Sequence, residues 1–96
     1  MVKINRRFGH SLEVFVLAPK CKAEIKKKAR EYGLEFTELS DVEFQVEGKG
    51  ADVTAKVTAT KIIVKGDLSF PASLVSGRIE DGIEETVLNL IEKCSK

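Results

Sequence analysis

The sequence predicts a two-layer α+β domain in which an antiparallel sheet of four to five strands packs against two amphipathic helices. Apolar and polar residues alternate through residues 42–65, which is typical of strands with one buried face. Apolar residues recur every three or four positions in residues 18–32 and 71–94, which is typical of helices with one buried stripe. The predicted order is β-β-α-β-β-β-α within a single domain, residues 1–96.

Two strands are predicted before the first helix. Residues 2–8 carry apolar side chains at every second position along much of their length, and Gly9 and His10 follow as a turn. Residues 11–17, SLEVFVL, are rich in β-branched and aromatic side chains. We interpret them as a second strand or as a bent continuation of the first.

The first helix is expected to open near Ala18, because Pro19 is well tolerated in a first helical turn. Gly33 can adopt the left-handed conformation that commonly ends a helix. The apolar stripe of this helix comprises Cys21, Ile25, Ala29 and Tyr32. With that stripe turned inward, the many lysines of KCKAEIKKKARE form either a solvated face or an anion-binding face.

The central strands form a meander. Val42, Phe44 and Val46 are predicted to face inward, and a hairpin turn at residues 48–50 leads into a strand over 51–59. The next strand covers residues 61–68 with a break at Gly66, and LEF at 34–36 is a candidate extra edge strand.

The last helix is expected to start at Phe70-Pro71, with its apolar stripe at Val75, Ile79, Ile83, Val87, Leu90 and Cys94. Gly77 and Gly82 are unfavourable inside a helix. They allow either a close approach to the alanine-rich strand 51–59 or a kink, and we favour the close approach.

Charge is distributed unevenly along the chain, although the net charge is only +1. Residues 1–30 hold nine Lys and Arg against two Glu, whereas residues 31–96 hold seven against thirteen Asp and Glu. Such a split indicates either a basic face for an anionic partner or two halves that attract each other, within the fold or across a dimer. The candidate anion or partner contacts are Arg6, Arg7, Lys20, Lys22, Lys26, Lys27 and Arg30, and the candidate dimer contacts are Glu80, Asp81, Glu84 and Glu85.

No catalytic, metal-binding or cofactor-binding residues are predicted. His10 is the single histidine; we read it as a turn residue bonded to backbone, with ligand contact as the alternative. Cys21 and Cys94 lack CxxC spacing and are expected to be reduced, apolar side chains. The carboxylates Asp41, Glu43, Glu47 and Asp52 are expected on a solvated strand face. We therefore expect a protein that is not an enzyme.

Several segments together resemble the polyhydroxyalkanoic acid system protein family. They are HSL at 10–12, EYGL at 31–34, VEFQVEGKGADVTAKV at 42–57, IIVKGDLSFPASL at 62–74 and RIEDGIEETVL at 78–88. This resemblance implies a cytoplasmic accessory protein that contacts a polyester granule, a hydroxyacyl ligand or another protein. It assigns no role to His10 beyond its position in HSL.

Three classes of function follow from these observations. The leading hypothesis is a non-enzymatic binding protein that forms a homodimer, with a protein or acyl ligand as further partner. The alternative is nucleic-acid binding by the basic N-terminal third, for which Phe15, Phe36 and Phe44 are the candidate aromatic platform. The third is an enzyme or lipid carrier with a cavity between sheet and helix.

Without an apolar signal segment or membrane span, we expect a cytoplasmic location. The Lys and Glu content is typical of heat-adapted proteins.

Overall fold

The computed structural model describes residues 2–70, 74 and 76–94. The elements are β1 (Val2–Gly9), α1 (Val14–Glu31), β2 (Glu35–Ser40), β3 (Glu43–Gly48), β4 (Ala51–Val57), β5 (Lys61–Leu68) and α2 (Ser76–Cys94). The predicted α+β class is confirmed, with a five-stranded antiparallel sheet and two helices.

The sheet has the strand order β1-β5-β4-β3-β2, and all neighbours are antiparallel. β1 pairs with the last strand, so that Ile4 lies opposite Gly66 and Phe8 lies opposite Ile62. The two edges are therefore β1 and β2. The candidate edge strand at LEF, residues 34–36, exists as β2 but begins at Glu35 and continues to Ser40.

One face of the sheet carries the hydrophobic core. Its largest fully buried side chains are Phe44, Ile4, Leu17, Ile62, Leu68, Val57 and Cys21. α1 contacts β2, β3 and β4, and α2 contacts β1 and α1, so the two helices cover this face side by side. Ile25 and Ile83 pack against the core, as the predicted stripes require. The opposite face of the sheet, called the open face below, carries the alternate polar residues.

The strand predicted over residues 11–17 is wrong, because α1 already begins at Val14. Leu17 and Ala18 continue the stripe of Cys21 toward the N-terminus and are buried on the sheet. This burial overrides the local preference of β-branched and aromatic residues for strands. Pro19 consequently lies inside the helix and not in its first turn. Because proline has no N–H, one backbone carbonyl of the preceding turn lacks its usual helical donor.

The end of α1 follows the prediction for Gly33, which has φ of 70°. The Leu34 N–H donates to the Ala29 carbonyl at 2.8 Å, and the Gly33 N–H donates to that of Arg30 at 3.2 Å. These two bonds form a Schellman motif. Tyr32 is 62% exposed, so its predicted place in the buried stripe is wrong. The helix has ended before the stripe reaches it.

Two details of the predicted strands need correction. The β3–β4 hairpin turn consists of Lys49 and Gly50, since Gly48 already pairs with Ala51. Both turn residues have positive φ, 52° and 86°, as a tight type I′ turn requires. Gly66 does not interrupt β5, which runs continuously past it.

The last helix is confirmed from Ser76 onward, and Val87 and Leu90 of its stripe are buried. The predicted start at Pro71 and the stripe residue Val75 lie outside the described residues. Beyond its chain neighbours and the nearby backbone of α2 itself, a Cβ atom on Gly77 or Gly82 would meet no atom within 4 Å. The predicted close packing of these glycines on the alanine-rich strand is therefore wrong.

Candidate interaction surface

The outer side of α1 forms a basic face, defined here by the exposed residues Lys20, Lys26, Lys27 and Arg30. The stripe of Leu17, Cys21 and Ala29 is buried, which turns these four cations away from the sheet. In the described part of the chain, none of the four forms an ion pair. Lys26, Lys27 and Arg30 also line a shallow surface depression of about 390 Å³ together with Ala23 and Glu31.

The other predicted cations have different positions. Arg6 faces the helices and forms an ion pair with Glu84 of α2, with 3.2 Å between Arg6 Nη2 and Glu84 Oε2. Lys22 pairs with Glu38 of β2 at 2.8 Å. Arg7 lies opposite Ile63 on the open face, away from the basic face. Two of the seven predicted anion contacts are thus engaged within the chain.

The outer side of α2 forms an acidic face, defined here by Asp81, Glu84 and Glu85. Asp81 and Glu85 are exposed, whereas Glu84 is shared with Arg6 and Glu80 is half-buried. Leu88 lies one turn beyond Glu84 and is 49% exposed. α2 also carries the exposed cations Arg78 and Lys93. The helix layer therefore presents a basic half on α1 and a half on α2 in which five carboxylates outnumber two cations.

The two helices run in opposite directions. α1 begins beside the β4–β5 turn, where Phe15 and Ala59 line one shared depression. It ends beside the β3–β4 turn, where Lys49 Nζ donates to the Tyr32 carbonyl at 2.9 Å. The chain leading into α2 passes this same turn, since the Ser69 N–H donates to the Gly50 carbonyl at 2.7 Å. The basic residues in the last turns of α1 therefore lie at the same end of the layer as the first turns of α2.

His10 forms hydrogen bonds with backbone through both ring nitrogens. Nδ1 accepts from the Leu12 N–H at 3.1 Å, so Nε2 carries the proton and donates to the Thr58 carbonyl at 2.8 Å. The ring links the segment before α1 to the β4–β5 turn. This arrangement matches the turn histidine of the sequence interpretation.

Cys21 and Cys94 are free thiols in α1 and α2. Burial and the nearby charge of Cys94 raise the pKa of the Cys21 thiol to about 12. Thiolates are the reactive form, so Cys21 is an inert core side chain at neutral pH.

The sheet places the candidate aromatic residues away from the open face. Phe36 stacks on Phe44 with 6.0 Å between ring centroids, and both lie on the helix-covered side. Phe15 is 83% exposed but belongs to α1. Within residues 2–68, the open face carries no aromatic side chain on which a base could stack.

The open face carries a row of four carboxylates, of which sequence reasoning found Glu47 and Asp52 but missed Glu35 and Asp67. Glu35 lies opposite Glu47, Glu47 opposite Asp52, and Asp52 opposite Asp67. Like charges directly across a strand pair are unfavourable. Only the strand register brings Glu35 and Asp67 next to the other two, so spacing along the chain gives no sign of the full row. Among the described residues, no group of acidic, histidine or cysteine side chains is arranged to hold a metal ion.

Neither described helix is both long and apolar enough to cross a membrane.

Comparisons with known proteins bear on the fold. No protein-family model matches the sequence, and a search of curated proteins gives no match. The chain is similar to the solution structure of the Aha1 dimer from Colwellia psychrerythraea, with a TM-score of 0.58 at 13% sequence identity. The similarity covers 98% of this chain and 96% of that one. At this identity the comparison shows a shared fold.

Proposed function

We propose that this protein is a small, non-enzymatic interaction protein that self-associates through the outer side of its helix layer. The observation that carries the proposal is the basic face of α1, whose four cations have no ion-pair partner in the described residues. The acidic face of α2 lies beside it in the same layer. The similar Aha1 protein is a dimer, which supports self-association.

The interaction hypothesis is favoured over an enzyme or lipid carrier. His10 uses both ring nitrogens in backbone hydrogen bonds, which leaves neither free to move a proton. No polar or charged side chain is buried in the described core. The depressions beside Lys26 and beside Phe15 are open surface features, not cavities between sheet and helix.

Sedimentation velocity tests self-association directly. We expect a dimer at tens of micromolar protein in about 50 mM salt, and partial dissociation in about 500 mM salt, because exposed charges are screened. A monomer under both conditions would exclude self-association.

Binding of an anionic polymer is the second candidate, and the depression lined by Lys26, Lys27 and Arg30 favours it. Phosphate contacts from these side chains would make the affinity fall steeply with salt. Without an aromatic platform on the open face, we expect no preference for single strands. A fluorescence titration with generic single-stranded and double-stranded oligonucleotides decides this, and no binding at about 50 mM salt eliminates it.

A role in polyester storage stays a prediction that depends on the family resemblance. It would add a granule protein or a hydroxyacyl group as partner. Native mass spectrometry of protein purified from its own host tests it, because a retained acyl ligand would appear as an added mass.

A further inference from the structure

We infer that the partner of the helix layer is a second copy of this chain, related by a two-fold axis that runs along the helices, so that each basic face lies on the other copy's acidic face. The inference rests on the proposed function and specifies its partner and geometry.

The antiparallel course of α1 and α2 leads to this axis. Two helix layers placed face to face by a two-fold axis parallel to the helices bring α1 of each copy over α2 of the other. The last turns of α1, with Lys26, Lys27 and Arg30, then meet the first turns of the partner's α2. An axis perpendicular to the helices would instead place the basic face on itself.

Arg78, an exposed cation in the first turn of α2, opposes this arrangement, whereas the acidic residues that follow it favour it. Lys22 and Arg6 are already paired within the chain, with Glu38 and Glu84. Lys26, Lys27 and Arg30 therefore lie nearest the partner's Asp81 and Glu85, whereas Lys20 is about 15 Å from Arg30, toward the start of α1. The two-fold axis makes each contact occur twice. Complementary charge of this kind selects the partner and its orientation more than it adds affinity.

Apolar side chains on the same surface would add a hydrophobic contribution to association, which charged pairs alone do not provide. Leu88 is 49% exposed on the outer side of α2, and Val16 is 50% exposed on the outer side of α1. The methylene stems of lysine side chains can cover such residues while their ammonium groups stay in water.

The size of the layer predicts a weak dimer. Helices of 18 and 19 residues are about 28 Å long and pack about 10 Å apart, which gives a footprint on the order of 550 Å². Standard interfaces bury about 800 Å² per partner. We therefore expect a dissociation constant in the micromolar range with marked dependence on salt.

A charge-exchange experiment tests the pairing. One variant reverses the basic face (Lys26→Glu/Lys27→Glu/Arg30→Glu) and a second reverses the acidic face (Asp81→Lys/Glu85→Lys). All five side chains are exposed, so the fold should persist, and circular dichroism checks this. Each variant alone should be monomeric, with a dissociation constant raised by about 100-fold or more. An equimolar mixture should form a heterodimer, because both of its helix contacts are again complementary.

The outcomes separate the inference from the proposed function. Native mass spectrometry distinguishes the heterodimer by mass, and Lys61→Glu/Lys65→Glu on the open face is the matched control that should still dimerise. If the wild type dimerises and either reversed variant still dimerises alone, the pairing is overturned while self-association stands. The same holds if the mixture gives no heterodimer. A monomeric wild type would remove both.

Discussion

Arg6 and Glu84 form an ion pair that joins the first strand to the last helix, with 3.2 Å between Nη2 and Oε2. The Arg6 guanidinium also lies 5.8 Å from the centre of the Phe8 ring. This pair uses within the chain one residue from each of the two charged sets that the sequence marks for external contacts, and Lys22 of the basic set is likewise paired with Glu38. Apart from Arg7 on the open face, the charged residues of these two sets that remain for a partner lie on the outer sides of the two helices.

The Arg6–Glu84 pair should contribute little to stability. Its side chains are 35% and 44% exposed, and exposed pairs typically contribute about 0.2–1 kcal/mol. In a double-mutant cycle with Arg6→Met and Glu84→Gln, urea unfolding should give a coupling energy below about 1 kcal/mol that shrinks in high salt. Arg7→Met is the control and should show no coupling to Glu84. A salt-independent coupling above about 2 kcal/mol would contradict this account.

Glycines in the sheet and in the last helix should respond oppositely to alanine. A Cβ atom on Gly66 would lie 2.3 Å from the Asp52 carbonyl oxygen and 2.7 Å from the Val53 Cα, both backbone atoms. We expect Gly66→Ala to lower the free energy of unfolding by about 2 kcal/mol or more. Gly77→Ala and Gly82→Ala should raise it by about 0.5–1 kcal/mol each, because their surroundings are open. Destabilisation by both helix substitutions would restore the close-packing interpretation.

Cys21 should make stability depend on pH in the alkaline range. Its pKa rises from 9.0 to about 12 in the folded protein, so above pH 9 the unfolded chain loses the proton first. The protonated Cys21 thiol therefore makes its full contribution to the free energy of unfolding below about pH 9. This contribution is lost as pH rises toward 12, at about 1.4 kcal/mol per pH unit. Wild type should lose stability more steeply than Cys21→Ala between about pH 8 and pH 10.5.

Thiol labelling gives an independent check on the same residue. At about pH 8, a thiol reagent should modify Cys94 in the folded protein and modify Cys21 only after addition of denaturant. Equal labelling rates for both thiols in the folded protein would contradict the raised pKa.

His10 should act as a structural link. His10→Ala removes both ring hydrogen bonds, to Leu12 and Thr58. We expect a loss of about 1–2 kcal/mol in the free energy of unfolding and faster hydrogen exchange at the Leu12 amide. Ser11→Ala, at an exposed neighbour, should change neither. An unchanged stability in His10→Ala would show that these bonds do not hold the turn.

The inward faces of the central strands and helices could be read from the sequence. Phe44 and Val46 follow a period of two, and Cys21 and Ala29 follow a helical period, so burial was correctly predicted at Phe44, Cys21 and Ala29. These patterns depend only on near neighbours along the chain.

Features that depend on distant segments could not be read in the same way. The start of α1 at Val14 depends on a sheet surface that buries Leu17, and local preference pointed to a strand instead. Likewise, the pairing of β1 with β5 places Arg6 near Glu84, which no spacing along the chain reveals. The sequence predicted that the outer side of α1 is basic. It did not show which of the predicted cations form ion pairs within the chain.

Intermolecular paramagnetic broadening tests the central claim most directly. A nitroxide attached at Ala23→Cys, in a Cys94→Ser background, stands on the outer side of α1 beside Lys26 and Lys27. Mixed with an unlabelled, ¹⁵N-enriched copy, it should broaden the amides of that copy's α2, whereas a nitroxide at Thr37→Cys on the open face should not. If the label on α1 broadened only amides of the sheet in the ¹⁵N copy and none in its α2, the proposed association of the two helix layers would be contradicted.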